Sequence, residues 1–152
     1  DKTLKKMNRH YTAEEYAALC DKLRKSFKDC TLTTEIMAGF PQETEEDFSD
    51  TVKFAEKIGF EKIHIFPYSR RSGTVADKME GQIEKSVKGY RVAELSKVAD
   101  KIRTEFLKNQ IGKTVSVLIE GKQKDGEMFG YTPNYTPVKV MGNARTGSIN
   151  DV

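Results

Sequence analysis

The sequence is sparing with the residues that announce particular chemistries. It holds two cysteines and two histidines in 152 residues. Cys20 and Cys30 match no zinc or iron–sulfur spacing, and they read as two reduced thiols of a cytosolic protein, with a disulfide left open. No run of 18 apolar residues occurs, which argues against a membrane-spanning helix. The opening DKTLKKMNRHYT has no apolar leader segment and no initiator methionine, so the chain is expected to be cut from a longer one. No Ser-His-Asp arrangement, Walker loop or zinc site is present. The net charge is only +3, which suits a nucleic-acid partner without arguing for one.

What remains is enough for a modest core. Hydrophobic residues make up 37% and charged residues 32%, the latter above the usual quarter or so. The length implies one domain, or one small domain plus part of another. A globular chain of this size buries on the order of 70% of its unfolded surface.

Periodicity orders the elements. Thr12 to Glu15 is a T-x-x-E capping box, followed by apolar positions Tyr16, Leu19, Cys20, Leu23 and Phe27 at helical spacing. A β-branched strand spans 31–38 and ends at Gly39-Phe40-Pro41. Thr44 to Asp47 caps a second helix carrying Phe48, Val52, Ala55 and Ile58, with Gly59 placed to stop it. A strand over 61–66 sets Ile63 and Ile65 against His64 and Phe66. Order and short connections predict an α/β fold with a βαβ unit and a parallel sheet. Residues 69–81 read as a loop. A long helix runs over 82–111 with the stripe Ile83, Val87, Tyr90, Leu95, Ala99, Ile102 and Phe106, and its many lysines and arginines, Lys88 and Arg91 among them, read as a solvated face. Beyond Gly112 come short strands at 114–119, 128–131 and 137–141, with a turn at Lys124-Asp125-Gly126. They predict a small β-barrel or sheet and a domain boundary near 112.

Two strand ends could carry chemistry, because parallel α/β sheets bind ligands at the carboxyl ends of their strands. In TTEIMAGFPQET, Glu35 lies in an otherwise apolar strand and needs a partner, whether a ligand hydroxyl, a cation or an arginine. Gly39 either admits a ligand to the backbone or only turns the chain. In IHIFPYSRRSGT, Phe66 and Tyr68 could flank a planar ring and Arg70 and Arg71 could meet phosphates; the alternative is an ordinary solvated loop. His64 reads as structural, and His10 receives no catalytic role.

MNRHYT, TTEIMAGFPQET, IHIFPYSRRSGT and GYTPNYTPVKV, in that order, resemble the MiaB-like methylthiotransferases, radical S-adenosylmethionine enzymes that modify tRNA. The form FPYSRRSGT is most similar to the MtaB branch, which acts on N6-threonylcarbamoyladenosine beside the anticodon. The resemblance implies that 1–111 is the C-terminal half of a partial (β/α) radical-SAM barrel and that 113–152 opens a truncated TRAM domain, a small RNA-binding β-barrel. It implies S-adenosylmethionine and two 4Fe-4S clusters as cofactors of the intact enzyme, with an electron donor, a cytoplasmic setting and no membrane. The family's C-x-x-x-C-x-x-C loop is absent from this chain and Cys20 and Cys30 do not replace it, so the segment is expected to be inactive alone. An exposed half-sheet is expected to favour poor solubility or a non-native dimer.

By the same resemblance Arg9 would pair with the S-adenosylmethionine carboxylate and Glu35 would accept from its ribose hydroxyls. Met37 and Gly39 would lie against adenine, with Phe66 and Ser69 completing the rim. Arg70 and Arg71 would meet tRNA, as would Tyr131, Asn134, Tyr135 and Lys139 of the TRAM part. Gln42 departs from the family's usual glycine in GFPGET. Two other readings are a non-catalytic RNA-binding module and a methylthiotransferase acting on a ribosomal protein or on isopentenyladenosine in tRNA.

Overall fold

A computed structural model describes residues 1–122, 126–142 and 144–152. The chain divides into two compact units, residues 1–109 and 110–152.

In the first unit a short helix α1 (Lys2–Lys6) precedes α2 (Ala13–Ser26), β1 (Thr33–Ala38), α3 (Glu45–Ile58), β2 (Lys62–Pro67), a single-turn α4 (Val75–Lys78) and the long α5 (Lys85–Lys108). Both capping boxes form. The Thr12 hydroxyl accepts the Glu15 N–H at 3.1 Å while the Glu15 carboxylate accepts the Thr12 N–H at 2.7 Å, and Thr44 and Asp47 repeat the exchange at 3.1 and 3.0 Å. Each box satisfies backbone donors that a helix start leaves free. Gly59 ends α3 at φ 65°, a left-handed position that costs glycine little.

β1 and β2 pair in parallel, with Glu35 opposite His64, Ile36 opposite Ile65 and Met37 opposite Phe66. One face of this two-stranded sheet is covered by helices. Ile36, Ala38 and Ile65 pack with Phe48 and Val52 of α3 and Val92 and Leu95 of α5. Ile63 packs with Ala17 and Cys20 of α2 and with Ile58 and Phe60. Phe60 and Leu95 are fully buried, each worth about 1.5–3 kcal/mol relative to exposure. The apolar row therefore fixes the register, because a one-residue slip would turn it out to water.

Four expectations need correction. Leu19 and Phe27 are 53% and 60% exposed: Ala17 shares the buried stripe with Cys20 instead, and Phe27 has left the helix for extended geometry, where helical spacing no longer applies. On α5, Val87 and Tyr90 are exposed while Arg91 is buried beside Leu95, so the inward face of its first half is partly charged. α5 itself is shorter at both ends than its pattern suggested, and the loop at 69–81 holds α4. Cys20 and Cys30 are free thiols.

The second unit contains β3 (Ser116–Lys122), β4 (Met128–Tyr131), β5 (Pro137–Val140) and β6 (Ile149–Asp151), hydrogen-bonded antiparallel in the order β5-β4-β3-β6. Val117, Ile119 and Met128 form its core, with Val115, Val138, Val140 and Ala144 around them. A side chain at Gly130 would run into the Leu118 carbonyl of the neighbouring strand, so glycine is required there. The short β6 had no pattern of its own; reciprocal hydrogen bonds of 2.9 and 3.0 Å between Val115 and Val152 hold it. Lys124 and Asp125 of the expected turn lie outside the described residues.

Candidate functional site

The face of the β1–β2 sheet turned away from the helices carries Glu35 and Met37 on one strand and Lys62, His64 and Phe66 on the other. Glu35 and His64 are exposed, Met37 is half-buried and Phe66 is 37% exposed. Glu35 thus bears no burial cost here. Among the described residues its carboxylate makes no hydrogen bond or ion pair, so the arginine partner that sequence reasoning weighed is not found. His64, read as structural, lies directly across from Glu35. The signal that could have found it was the alternation itself, since the isoleucines on either side of His64 supply the covered face.

At the carboxyl end of β1 the chain folds on itself. Gly39 is buried at φ 77°, and a Cβ there would strike the aliphatic stem of Lys88. Its close neighbour is therefore this chain's own lysine, not an open ligand space. Lys88 continues past Gly39 to donate to the Tyr68 carbonyl at 3.1 Å, and the Tyr68 N–H donates to the Ala38 carbonyl at 2.8 Å. One α5 side chain thus spans the ends of both strands. Beside it the Glu43 carboxylate accepts the Gly39 N–H at 3.0 Å and an Arg91 N–H at 2.7 Å, within the protein interior. Burial pushes the Glu43 carboxyl above its ordinary range, against the pull of the Gly39 N–H and Arg91. Neither Lys88 nor Arg91 was recognised from sequence, because their partners lie on other elements. Tyr68 is buried with its ring edge-on to Phe40, 5.4 Å between centroids, so it does not flank a ring together with Phe66. Its hydroxyl has no hydrogen-bond partner among the described residues.

The other candidates scatter. Arg9 is exposed between α1 and α2, and among the described residues it makes no hydrogen bond or ion pair with Glu35. Ser69 is exposed just beyond β2. Arg70 donates to the Asp77 carboxylate and to the Asp77 carbonyl, both at 2.9 Å, so it fastens the loop to α4 and is not a free cation. Arg71 is exposed, and its carbonyl accepts the Thr74 hydroxyl at 2.8 Å. In the second unit the Asn134 side-chain oxygen accepts from the Thr132 and Thr136 hydroxyls, which makes it a turn clamp. Lys139 is paired with Glu127 at 2.6 Å. Tyr135 is 80% exposed at φ 60°, and its ring lies 6.4 Å from that of the half-buried Tyr131.

Comparison with known proteins gives this geometry a context. Residues 108–151 match the TRAM domain family. A tRNA-2-methylthio-N(6)-dimethylallyladenosine synthase of Acetivibrio thermocellus is 45% identical over 124 residues, 82% of this chain and 26% of the relative. The synthase of the same name from Clostridium beijerinckii is 40% identical over 149 residues, 98% of this chain and 30% of the relative. Over most of its length the chain is thus similar to tRNA-2-methylthio-N(6)-dimethylallyladenosine synthases, and its last part to TRAM domains. It spans about a quarter to a third of the length of the curated relatives it matches.

The two kinds of cofactor that the resemblance implies fit this segment differently. An iron–sulfur cluster does not fit: among the described residues no group of three or more His, Cys, Asp or Glu is placed to hold a metal, and Cys20 is packed in the core with its thiol pushed above its ordinary range by that burial. The donor set of the uncovered sheet face suits a nucleoside cofactor: it offers a free carboxylate, an imidazole, a thioether and an aromatic ring. No helix among the described residues is long and apolar enough to cross a membrane.

Proposed function

We propose that this chain is the part of a radical-SAM tRNA methylthiotransferase that supplies one wall of the cofactor site and an RNA-binding module. In this reading 1–109 belongs to the C-terminal half of a (β/α) barrel and 110–152 to a TRAM domain. The observation that carries the reading is the one-sided β1–β2 sheet. Three helices seal one face, while the other presents Glu35, Met37, His64 and Phe66 in adjacent register. A barrel interior has that polarity, and the relatives' names supply the reaction.

Bound S-adenosylmethionine supplies the radical and methyl chemistry of methylthiolation. The residues of this chain would bind and orient it: Glu35 would accept from the ribose and Met37 and Phe66 would hold the ring, while Arg9 and Ser69 are assigned to it by the family resemblance alone. Holding the reacting carbon in line with the target base is the main service a protein gives such chemistry. Gly39, under Lys88, shapes the strand end. The clusters, and the electron donor that serves them, act through parts of the intact enzyme outside this chain.

The target is an N6-modified adenosine in tRNA. The relatives' names specify dimethylallyladenosine and give no support to threonylcarbamoyladenosine or to the MtaB branch, so the former is the base proposed here. The test uses the full-length enzyme, reconstituted with iron anaerobically and offered tRNA bearing either base, with methylthio products read by mass spectrometry. Methylthiolation of dimethylallyladenosine that is lost in Glu35→Ala and Arg9→Ala is the expected result. Product on threonylcarbamoyladenosine alone would overturn the choice of base, and full activity of both variants would overturn the site.

A further inference from the structure

We propose that His64 is a further nucleoside-binding residue, which together with Glu35 grips the vicinal hydroxyls of the cofactor's ribose. This rests on the reading of the β1–β2 face as the cofactor wall and adds to it a residue and a ligand feature. The register places Glu35 opposite His64 and, next along the strands toward their carboxyl ends on the same face, Met37 opposite Phe66. Neighbouring strands lie about 4.8 Å apart and successive same-face residues about 6.6 Å apart along a strand. A polar row of carboxylate and imidazole is thus followed, one side-chain step on, by an apolar row of thioether and aromatic ring.

An adenosine has the same order, with a vicinal diol at one end and a flat apolar base at the other. A carboxylate only accepts hydrogen bonds, whereas a neutral imidazole both donates and accepts. Two adjacent hydroxyls, each donor and acceptor, are satisfied by that combination better than by either group alone. Neither His64 nor Glu35 is engaged by any other side chain among the described residues, and both are exposed, so no internal bond has to break before a ligand binds. The opposite face locks the register through Ile36, Ile63 and Ile65, which keeps the two groups side by side.

The test uses the full-length enzyme with S-adenosylhomocysteine, which is unreactive, and its 2′-deoxyribose counterpart as probes in equilibrium binding. His64→Ala is expected to weaken S-adenosylhomocysteine about tenfold and to remove most of the preference for ribose over deoxyribose, with His64→Gln retaining part of both. Because the side chain is exposed, neither substitution opens a cavity, and His64→Gln carries the test if the alanine variant fails to fold. Unchanged affinity and ribose preference in the His64 variants, with weakened binding in Glu35→Ala, would overturn the inference and leave the cofactor wall standing. An equal loss for both probes would overturn the diol assignment. Unchanged binding in the Glu35 and His64 variants alike would overturn the wall itself.

Discussion

Arg91 of α5 reaches Glu43 at 2.7 Å with only 5% and 7% of the two side chains exposed, joining elements 48 residues apart in sequence. The same guanidinium donates to the Glu43 carbonyl and to Glu45, and Glu43 holds the Gly39 N–H. The pair therefore ties α5 to the turn that ends β1. Removing one partner of a buried pair costs about 3–5 kcal/mol, because the other charge is left without compensation. Arg91→Ala is expected to lose stability in that range in urea unfolding at neutral pH. The loss depends on pH with a definite sign. Burial already raises the Glu43 carboxyl above its ordinary range, and loss of the cation raises it further. A raised carboxyl favours the folded state below the unfolded value, about 4.3, and that advantage disappears as pH rises through the folded value. The deficit of Arg91→Ala should shrink on acidification toward pH 4 or so, and Glu43→Gln should remove this dependence.

The cap of α3 titrates in the opposite sense. Its Asp47 carboxylate accepts the Thr44 N–H, and that bond holds the acid below the usual aspartate range. A depressed carboxyl contributes stability above its unfolded value, about 3.9, and loses it as pH falls through the lower folded value. Asp47→Ala should be less stable than the parent at neutral pH, with the gap closing in strong acid. Thr44→Ala should cost about 1 kcal/mol. Thermal melts between neutral pH and strong acid separate the two.

Gln42 occupies the left-handed region at φ 65°, at the position where the resemblance led one to expect glycine. Its backbone N–H donates to the Gly81 carbonyl at 2.8 Å and its side chain to the Glu80 carbonyl at 3.2 Å. The side chain's hold on the 79–81 segment offsets the backbone cost. Gln42→Gly and Gln42→Ala both lose the side-chain bond, but only alanine keeps the left-handed penalty, roughly 1–2 kcal/mol for a residue with a Cβ. The glycine variant should be the more stable of the two by about 1 kcal/mol after its larger unfolded-state entropy is counted. Equal midpoints would mean that the loop relaxes away from this geometry.

What the sequence disclosed depended on how local each cause was. The caps at Thr12 and Thr44 and the stop at Gly59 act within one turn, so spacing alone reveals them. The βαβ order follows from residues that bury one face each. Arg91 looked like any solvated helix cation because the group that buries it, Glu43, belongs to a distant turn. Arg70 looked free because Asp77 sits on a one-turn helix with no periodicity to betray it. For His64, alternation groups the residue with Glu35 and apart from the isoleucines without saying which face the helices cover. Only the packing of Phe48 and Leu95 on Ile36 and Ile65 decides that.

Tyr135 closes the β4–β5 turn with a backbone conformation that few residues other than glycine or asparagine adopt willingly. The turn is pinned by the Tyr135 N–H to the Thr132 carbonyl at 2.9 Å and by the Thr132 N–H to the Thr136 carbonyl at 3.0 Å, and the Asn134 clamp reinforces it. The ring is 80% exposed, so packing does little to repay the strain beyond its contact with Tyr131. Strain kept at an exposed aromatic is the pattern of a side chain retained for binding. Tyr135→Gly should therefore stabilise the protein by about 1 kcal/mol while weakening tRNA binding. A stacked base is worth about 1–3 kcal/mol by substitution. The salt dependence of binding should keep its slope, because no charge is removed. Unfolding midpoints and filter binding over a salt series measure both quantities on one variant. A stabilised protein with unchanged tRNA affinity would assign Tyr135 to turn geometry alone.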